Sequence, residues 1–218
     1  MELAALIVAA LAIVLLFVVE WVKRPRLEIV PSLFVPSGPL AWTFAAVQVR
    51  NKPLGRPWRW LLSRESAQGC RVTTDFLQWV GGTRVMPSVR GRWSSHPEPL
   101  RSVRVEVPSG QQVAAALVGV TVRYEAQYDP TLDPPEQTVA ASQTGEEVAV
   151  AILRNAGGAS AWGTESYAYW QWEKPEWKLD PGTYRVEIRV EGSSVSKSAA
   201  FKLEYLNEDF VAFRLQPL

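Results

Sequence analysis

The chain has 218 residues, 47% of them hydrophobic, with 23 basic against 22 acidic side chains and a formal charge of +1. That balance excludes a disordered chain, a collagen-like repeat and a uniformly basic nucleic-acid binder, and it supplies apolar material for one domain or two small ones. One cysteine excludes an intrachain disulfide framework and a multi-cysteine zinc site, and one histidine leaves little room for histidine-based catalysis.

The first predicted element is a helix. From Leu3 to Val19, 17 consecutive positions are Leu, Ala, Ile, Val or Phe. Extending the run to Val22 gives 20 positions. At about 1.5 Å per residue that is about 30 Å, the thickness of a hydrocarbon core. Lipid offers the backbone no hydrogen-bonding partner, so such a run must satisfy itself as a helix. A cleaved signal peptide would carry a basic leader, whereas only Glu2 precedes this run, and the apolar stretch continues well past Ala10-Leu11-Ala12. Lys23, Arg24 and Arg26 follow the span, and basic flanks favour the cytoplasmic side. The expected arrangement is single-pass, N-terminus out and soluble body in, with an exported body as the alternative.

Residues 27–41 hold Pro31, Pro36 and Pro39 and read as a proline-rich linker or edge strand. Beyond them the pattern turns to strands. Residues 42–50, 70–79, 102–107, 113–124 and 183–191 alternate apolar and polar side chains over part or all of their length. The clearest is Thr183–Glu191, with Tyr184, Val186, Ile188 and Val190 on one face. Period-two alternation puts one face in a core and the other in water. Turn signals separate the runs at Gly81-Gly82, Pro108-Ser109-Gly110, Gly157-Gly158 and Asp180-Pro181-Gly182. The expected fold is all-β: an immunoglobulin-like antiparallel β-sandwich preceded by one N-terminal transmembrane α-helix. Its parts are an anchor with basic flank at 1–26, the 27–41 stretch, and a sandwich at 42–218. A division into two smaller sandwiches near 108–112 is the alternative.

Leu179-Asp180-Pro181-Gly182-Thr183-Tyr184-Arg185-Val186 resembles the late strands of immunoglobulin-like domains. Together, VRNKPL at 49–54, GRWSSHPEPL at 91–100 and ESYAYWQWEKPEWKLDPGTY at 165–184 are similar to uncharacterised prokaryotic single-pass membrane proteins with such a domain. The resemblance implies a fold and an anchor, and no activity.

Phosphate-loop, dinucleotide, zinc-protease and nucleophile-elbow motifs are missing, and no cofactor or metal is implied. His96 reads as a loop histidine facing solvent and Cys70 as a buried thiol at a strand start. Asp129, Asp133 and Glu136 lack the spacing of a calcium loop. Glu165 with Glu173 or Glu176 are the acids an unrecognised hydrolase would use.

Two clusters stand out. Lys52–Arg64 mixes cations with rings. Arg56, Trp58, Arg59 and Trp60 join Lys23, Arg24 and Arg26 as candidates for a membrane surface, unless the rings fold back onto the body. Trp162, Tyr167, Tyr169, Trp170, Trp172 and Trp177 are candidates for gripping a glycan or partner, unless they fill the core. Charge is also uneven: the net is +8 through Arg104 and −7 beyond it. The expected role is a membrane-anchored, non-enzymatic interaction or scaffolding module. Its expected partners are the lipid bilayer and an unidentified protein or glycan, with no nucleic acid. The alternative is an exported surface protein binding glycan or envelope polymer.

Overall fold

The computed structural model describes residues 2–32, 42–56, 58–106, 123–132, 134, 136–142, 144–154, 158–169, 173–206 and 213–218, with the side chains of 2, 4, 101–127 and 130 left out of the description. Residues 113–122 of the strand expected at 113–124, the turn at 108–110, Gly157, Pro36 and Pro39 of the expected linker, and Asp133, Trp170 and Trp172 lie outside the described residues.

Helix α1 (Glu2–Lys23) is about 33 Å long at about 1.5 Å per residue. It stops where Pro25 restricts the preceding residue and lacks an amide hydrogen to donate. Helix α1 is long and apolar enough to cross a membrane, and among the described residues none of its window Ala5–Lys23 is buried.

The body is two antiparallel sheets plus a hairpin. The first sheet runs β1 (Leu27–Ser32), β2 (Trp42–Asn51), β9 (Glu146–Arg154), β10 (Gly158–Ala161) and β11 (Lys178–Leu179), with β5 (Arg92–Trp93) also on β9. The second runs β14 (Leu215–Pro217), β13 (Ser196–Tyr205), β12 (Gly182–Glu191), β3 (Ala67–Gln78) and β4 (Val89–Arg90), with β8 (Gln137–Val139) on β3. Strands β6 (Leu100–Glu106) and β7 (Arg123–Tyr128) pair with each other. Of the two readings for residues 27–41, 27–32 form an edge strand, in register with β2 from Leu27↔Asn51 to Ser32↔Ala46.

Alternation places the core. Cys70, Val72, Thr74 and Phe76 of β3 are buried, as are Tyr184, Val186, Ile188 and Val190 of β12. All of these but Thr74 share one cluster with Val47 and Val49 of β2 and with Val148, Ala151 and Leu153 of β9. Burial of Val, Leu and Ile side chains is worth about 1.5–3 kcal/mol each, so this shared interior holds the sheets together. Both sheets take strands from either side of residues 107–122. Strands of the basic first half and the acidic second half therefore share both sheets, and Arg71 of the first meets Glu136 of the second at 2.5 Å.

Tyr167 lies in a 3-10 helix, Thr164–Ala168, that starts behind Gly163. A Cβ at Gly163 would stand 2.3 Å from the Arg90 carbonyl oxygen, so only glycine lets this segment lie so close to β4. His96 is not solvent-facing: only 9% of it is exposed, and its Nε2 lies 3.3 Å from Gln137 Oε1.

Candidate functional site

The helix exit is hydrogen-bonded into the body. The Glu65 amide donates to the Lys23 carbonyl at 2.9 Å, and Arg64 Nη1 donates to the Arg24 carbonyl at 2.8 Å. The Lys52 amide donates to the Arg26 carbonyl at 3.0 Å, and the Arg26 amide donates to Asn51 Oδ1 at 3.0 Å. Asn51, fully buried, passes its own Nδ2 hydrogen to the Glu65 carbonyl at 2.7 Å. Both ends of the 52–65 loop are thus tied to the point where α1 ends. Burial, reinforced by the charge of Arg26, pushes the Arg64 guanidinium below its ordinary pKa.

Between those ties the loop turns once as a 3-10 helix, Trp58–Trp60, with no buried residue. Trp60 is 77% exposed, Leu61 58% and Trp58 44%. Arg56 and Arg59 flank them, also exposed. The rings do not fold back onto the sheets. At the helix itself Trp21 is exposed, with the Arg26 guanidinium 4.9 Å above its ring, and Lys23 sits 4.0 Å from Glu20. All seven predicted membrane-surface residues therefore lie on the helix exit or on the loop tied to it.

A second site lies on the outer face of the first sheet. Strand β2 points Trp42, Phe44 and Ala46 outward, and β9 answers with Ala149 and Ile152. Val150 is an extra residue opposite Ala45 and Ala46, and this bulge keeps Ala149 and Ile152 on the same outer face. Ala46 and Ala149 face each other across the strands, and two methyl-sized side chains beside large rings leave a depression. The result is a cavity of about 250 Å³ lined by Trp42, Phe44, Ala46, Arg92, Ser94, Glu98, Glu147, Ala149, Trp162 and Tyr167.

Its aromatic wall is a chain of edge contacts. Phe44 meets Trp162 at 5.1 Å and 71°, and Trp162 meets Tyr167 at 5.3 Å and 63°. Arg92 continues the chain, its guanidinium 5.1 Å from the Tyr167 ring centre. Arg92 is 8% exposed, its Nη2 donates to the His96 carbonyl at 2.5 Å, and its buried Nε has no acceptor among the described residues. Glu147 accepts from Ser32 Oγ at 2.6 Å, and Glu98 and Ser94 are exposed at the mouth. Leu100 and Tyr128, at the root of the β6–β7 hairpin, pack beside the same cluster.

Of the predicted aromatic group, the structure brings Trp162 and Tyr167 into this cavity. Trp177 is buried in the main core, while Tyr169 is 37% exposed and lies outside the cavity. Sequence reasoning missed Trp42, Phe44, Arg92, Glu98 and Glu147. A signal was present: Trp42 and Phe44 alternate with Thr43 and Ala45, on the face opposite Val47 and Val49. Two of the acids considered for hydrolysis are held by cations. Glu173 bonds Arg154 at 2.8 Å, and Glu165 bonds Lys174, raising the pKa of that amine chiefly through the hydrogen bond. Cys70 is buried, and burial raises its thiol pKa.

Comparisons with known proteins add no family. No family model matches the chain, and no curated protein or solved structure does.

Proposed function

We propose that this protein is a single-pass, membrane-tethered, non-enzymatic interaction module. In this reading its body is an immunoglobulin-like sandwich seated on the bilayer by the 52–65 loop. One observation carries the reading: the loop that exposes Trp58, Trp60 and Leu61 is hydrogen-bonded at both ends to the exit of an apolar helix. Exposed rings and arginines at that position suit a headgroup layer, where tryptophan settles and arginine meets phosphate. Stitching the helix to the body also fixes the angle at which the module stands on the membrane, a requirement of a scaffold.

The sandwich assignment draws support from the shared core and from Tyr184. Its hydroxyl donates to the Asp180 carbonyl at 2.6 Å, four residues upstream, as in the tyrosine corner of immunoglobulin-like domains. The basic flank Lys23, Arg24 and Arg26 supports a cytoplasmic body.

Alkaline carbonate extraction combined with N-terminal sequencing tests the anchor. The chain is expected to stay in the membrane pellet with residues 1–23 intact. Release into the supernatant, or a mature N-terminus beyond Lys23, would contradict it.

A further inference from the structure

We infer, resting on the membrane reading above, that the helix exit and the 52–65 loop form a site for anionic phospholipid, drawing negatively charged headgroups from the surrounding leaflet in preference to zwitterionic ones.

Charge at this end of the body is one-sided. Residues 20–28 and 52–65 hold seven basic and three acidic side chains, a net of +4 in a chain whose total is +1. Two of the acids are held by lysines: Glu28 lies 2.8 Å from Lys52, and Glu20 lies 4.0 Å from Lys23. Arg24, Arg26, Arg56, Arg59 and Arg64 pair with no acid among the described residues. The first four of them are exposed. A guanidinium meets phosphate through paired N–H groups, and a basic cluster beside a span is drawn to an anionic leaflet.

Arg64 is the second observation. Its Nη1 donates to the Arg24 carbonyl, which holds the guanidinium at the helix exit. Burial, and then the charge of Arg26, keeps it below its ordinary pKa, so the two arginines repel each other there. A net negative headgroup beside them relieves that repulsion. A zwitterionic headgroup brings its own cation and relieves less of it.

The neighbours of the arginines select lipid over a soluble acidic polymer. Trp58, Trp60 and Leu61 are exposed in the same loop, and the loop is hydrogen-bonded to the end of a helix apolar enough to cross a membrane. A nucleic acid or acidic peptide would satisfy the cations and leave Leu61 in water, whereas a bilayer surface takes both.

The test reads which lipid stands next to α1 in full-length protein reconstituted into vesicles. Phe17 is 73% exposed on α1, six residues before Lys23, which places it about 9 Å from the helix exit at about 1.5 Å per residue. Phe17→Cys carries a fluorophore, and the native Cys70 is buried away from the label. The vesicles hold equal parts of phosphatidylcholine and phosphatidylglycerol, with brominated chains on one or the other. Quenching is expected to report a preference of about threefold for phosphatidylglycerol. It should fall toward one in about 1 M salt, where charges are screened beyond about 3 Å. Arg56→Gln combined with Arg59→Gln is expected to bring it below about twofold. Arg84→Gln combined with Arg185→Gln makes the same charge change beside Leu77, about 33 Å along β3 from Ala67, and should leave it intact. Equal quenching by the two brominated lipids, or an unchanged preference in the Arg56 and Arg59 variant, would overturn the selection and leave the anchor standing. Loss of the preference on adding stoichiometric oligonucleotide or polyglutamate would overturn it in favour of a soluble polymer. No quenching by either lipid would contradict the membrane reading, and the selection with it.

Discussion

Asn51 joins three segments of the chain through one side chain. Fully buried, it accepts from the Arg26 amide and donates to the Glu65 carbonyl, so one carboxamide joins the helix exit, a strand end and a loop end. Asn51→Ala orphans both partners and is expected to cost about 2 kcal/mol, in line with the penalty for unsatisfied buried groups. Chemical denaturation in detergent measures it, and a change below a few tenths would contradict the role. Tyr184 makes a prediction with a pH sign. Burial, followed by the charge of Asp180, raises its phenol above the ordinary value of 10.0. A group with a raised folded pKa contributes stability that is complete below the unfolded value and fades as pH climbs through the folded one. Wild type should therefore lose stability in the alkaline range above pH 10, and Tyr184→Phe should show a shallower alkaline loss. At neutral pH the same substitution should cost about 1 kcal/mol for the missing hydrogen bond. Identical alkaline limbs in the two proteins would contradict the assignment.

Among the elements, the strands were legible because their period is local. Tyr184, Val186, Ile188 and Val190 announce a half-buried strand without knowledge of any neighbour, and all four are buried. The 3-10 helix at Thr164–Ala168 was not legible. Its position depends on a close approach between Gly163 and Arg90, remote in sequence, and no periodicity encodes that. The cavity was half legible for the same reason. Trp162 and Tyr167 attract notice as aromatics, whereas Arg92 and Glu98 join them only because β5 pairs with β9. His96 was misplaced because a Ser-His-Pro sequence suggests a loop, and the burial comes from tertiary contacts around Gln137. Gly163→Ala tests the element directly. A methyl 2.3 Å from a backbone oxygen cannot be absorbed by side-chain motion, so the 3-10 helix must lift. The expected cost is about 1–3 kcal/mol, as for overpacked sites, with Tyr167 becoming more exposed to hydrogen-exchange or nitration probes. An unchanged melting temperature and unchanged Tyr167 reactivity would show that the segment is not held there.

At the scale of the whole molecule, both sheets mix strands from the basic and acidic halves, so the proposed membrane attachment is assigned to α1 and the tied loop. The proposed orientation, with the body in the cytoplasm, is drawn from the flank Lys23, Arg24 and Arg26. Protease added to spheroplasts should leave the C-terminal body intact, and digestion of the body would place it outside. The central claim, that the 52–65 loop rests in the headgroup layer beside the helix exit, has a direct measurement. The single native cysteine, Cys70, is buried with a raised thiol pKa, so a cysteine introduced at an exposed position can be labelled selectively. Leu61→Cys and Val80→Cys each receive an environment-sensitive fluorophore in full-length protein reconstituted into anionic vesicles. Leu61 lies in the tied loop, and Val80, 82% exposed, lies past the end of β3 remote from it. The account predicts blue-shifted emission, quenched by brominated lipid, for the probe at 61, and water-like emission for the probe at 80. Water-like emission from both probes would contradict it.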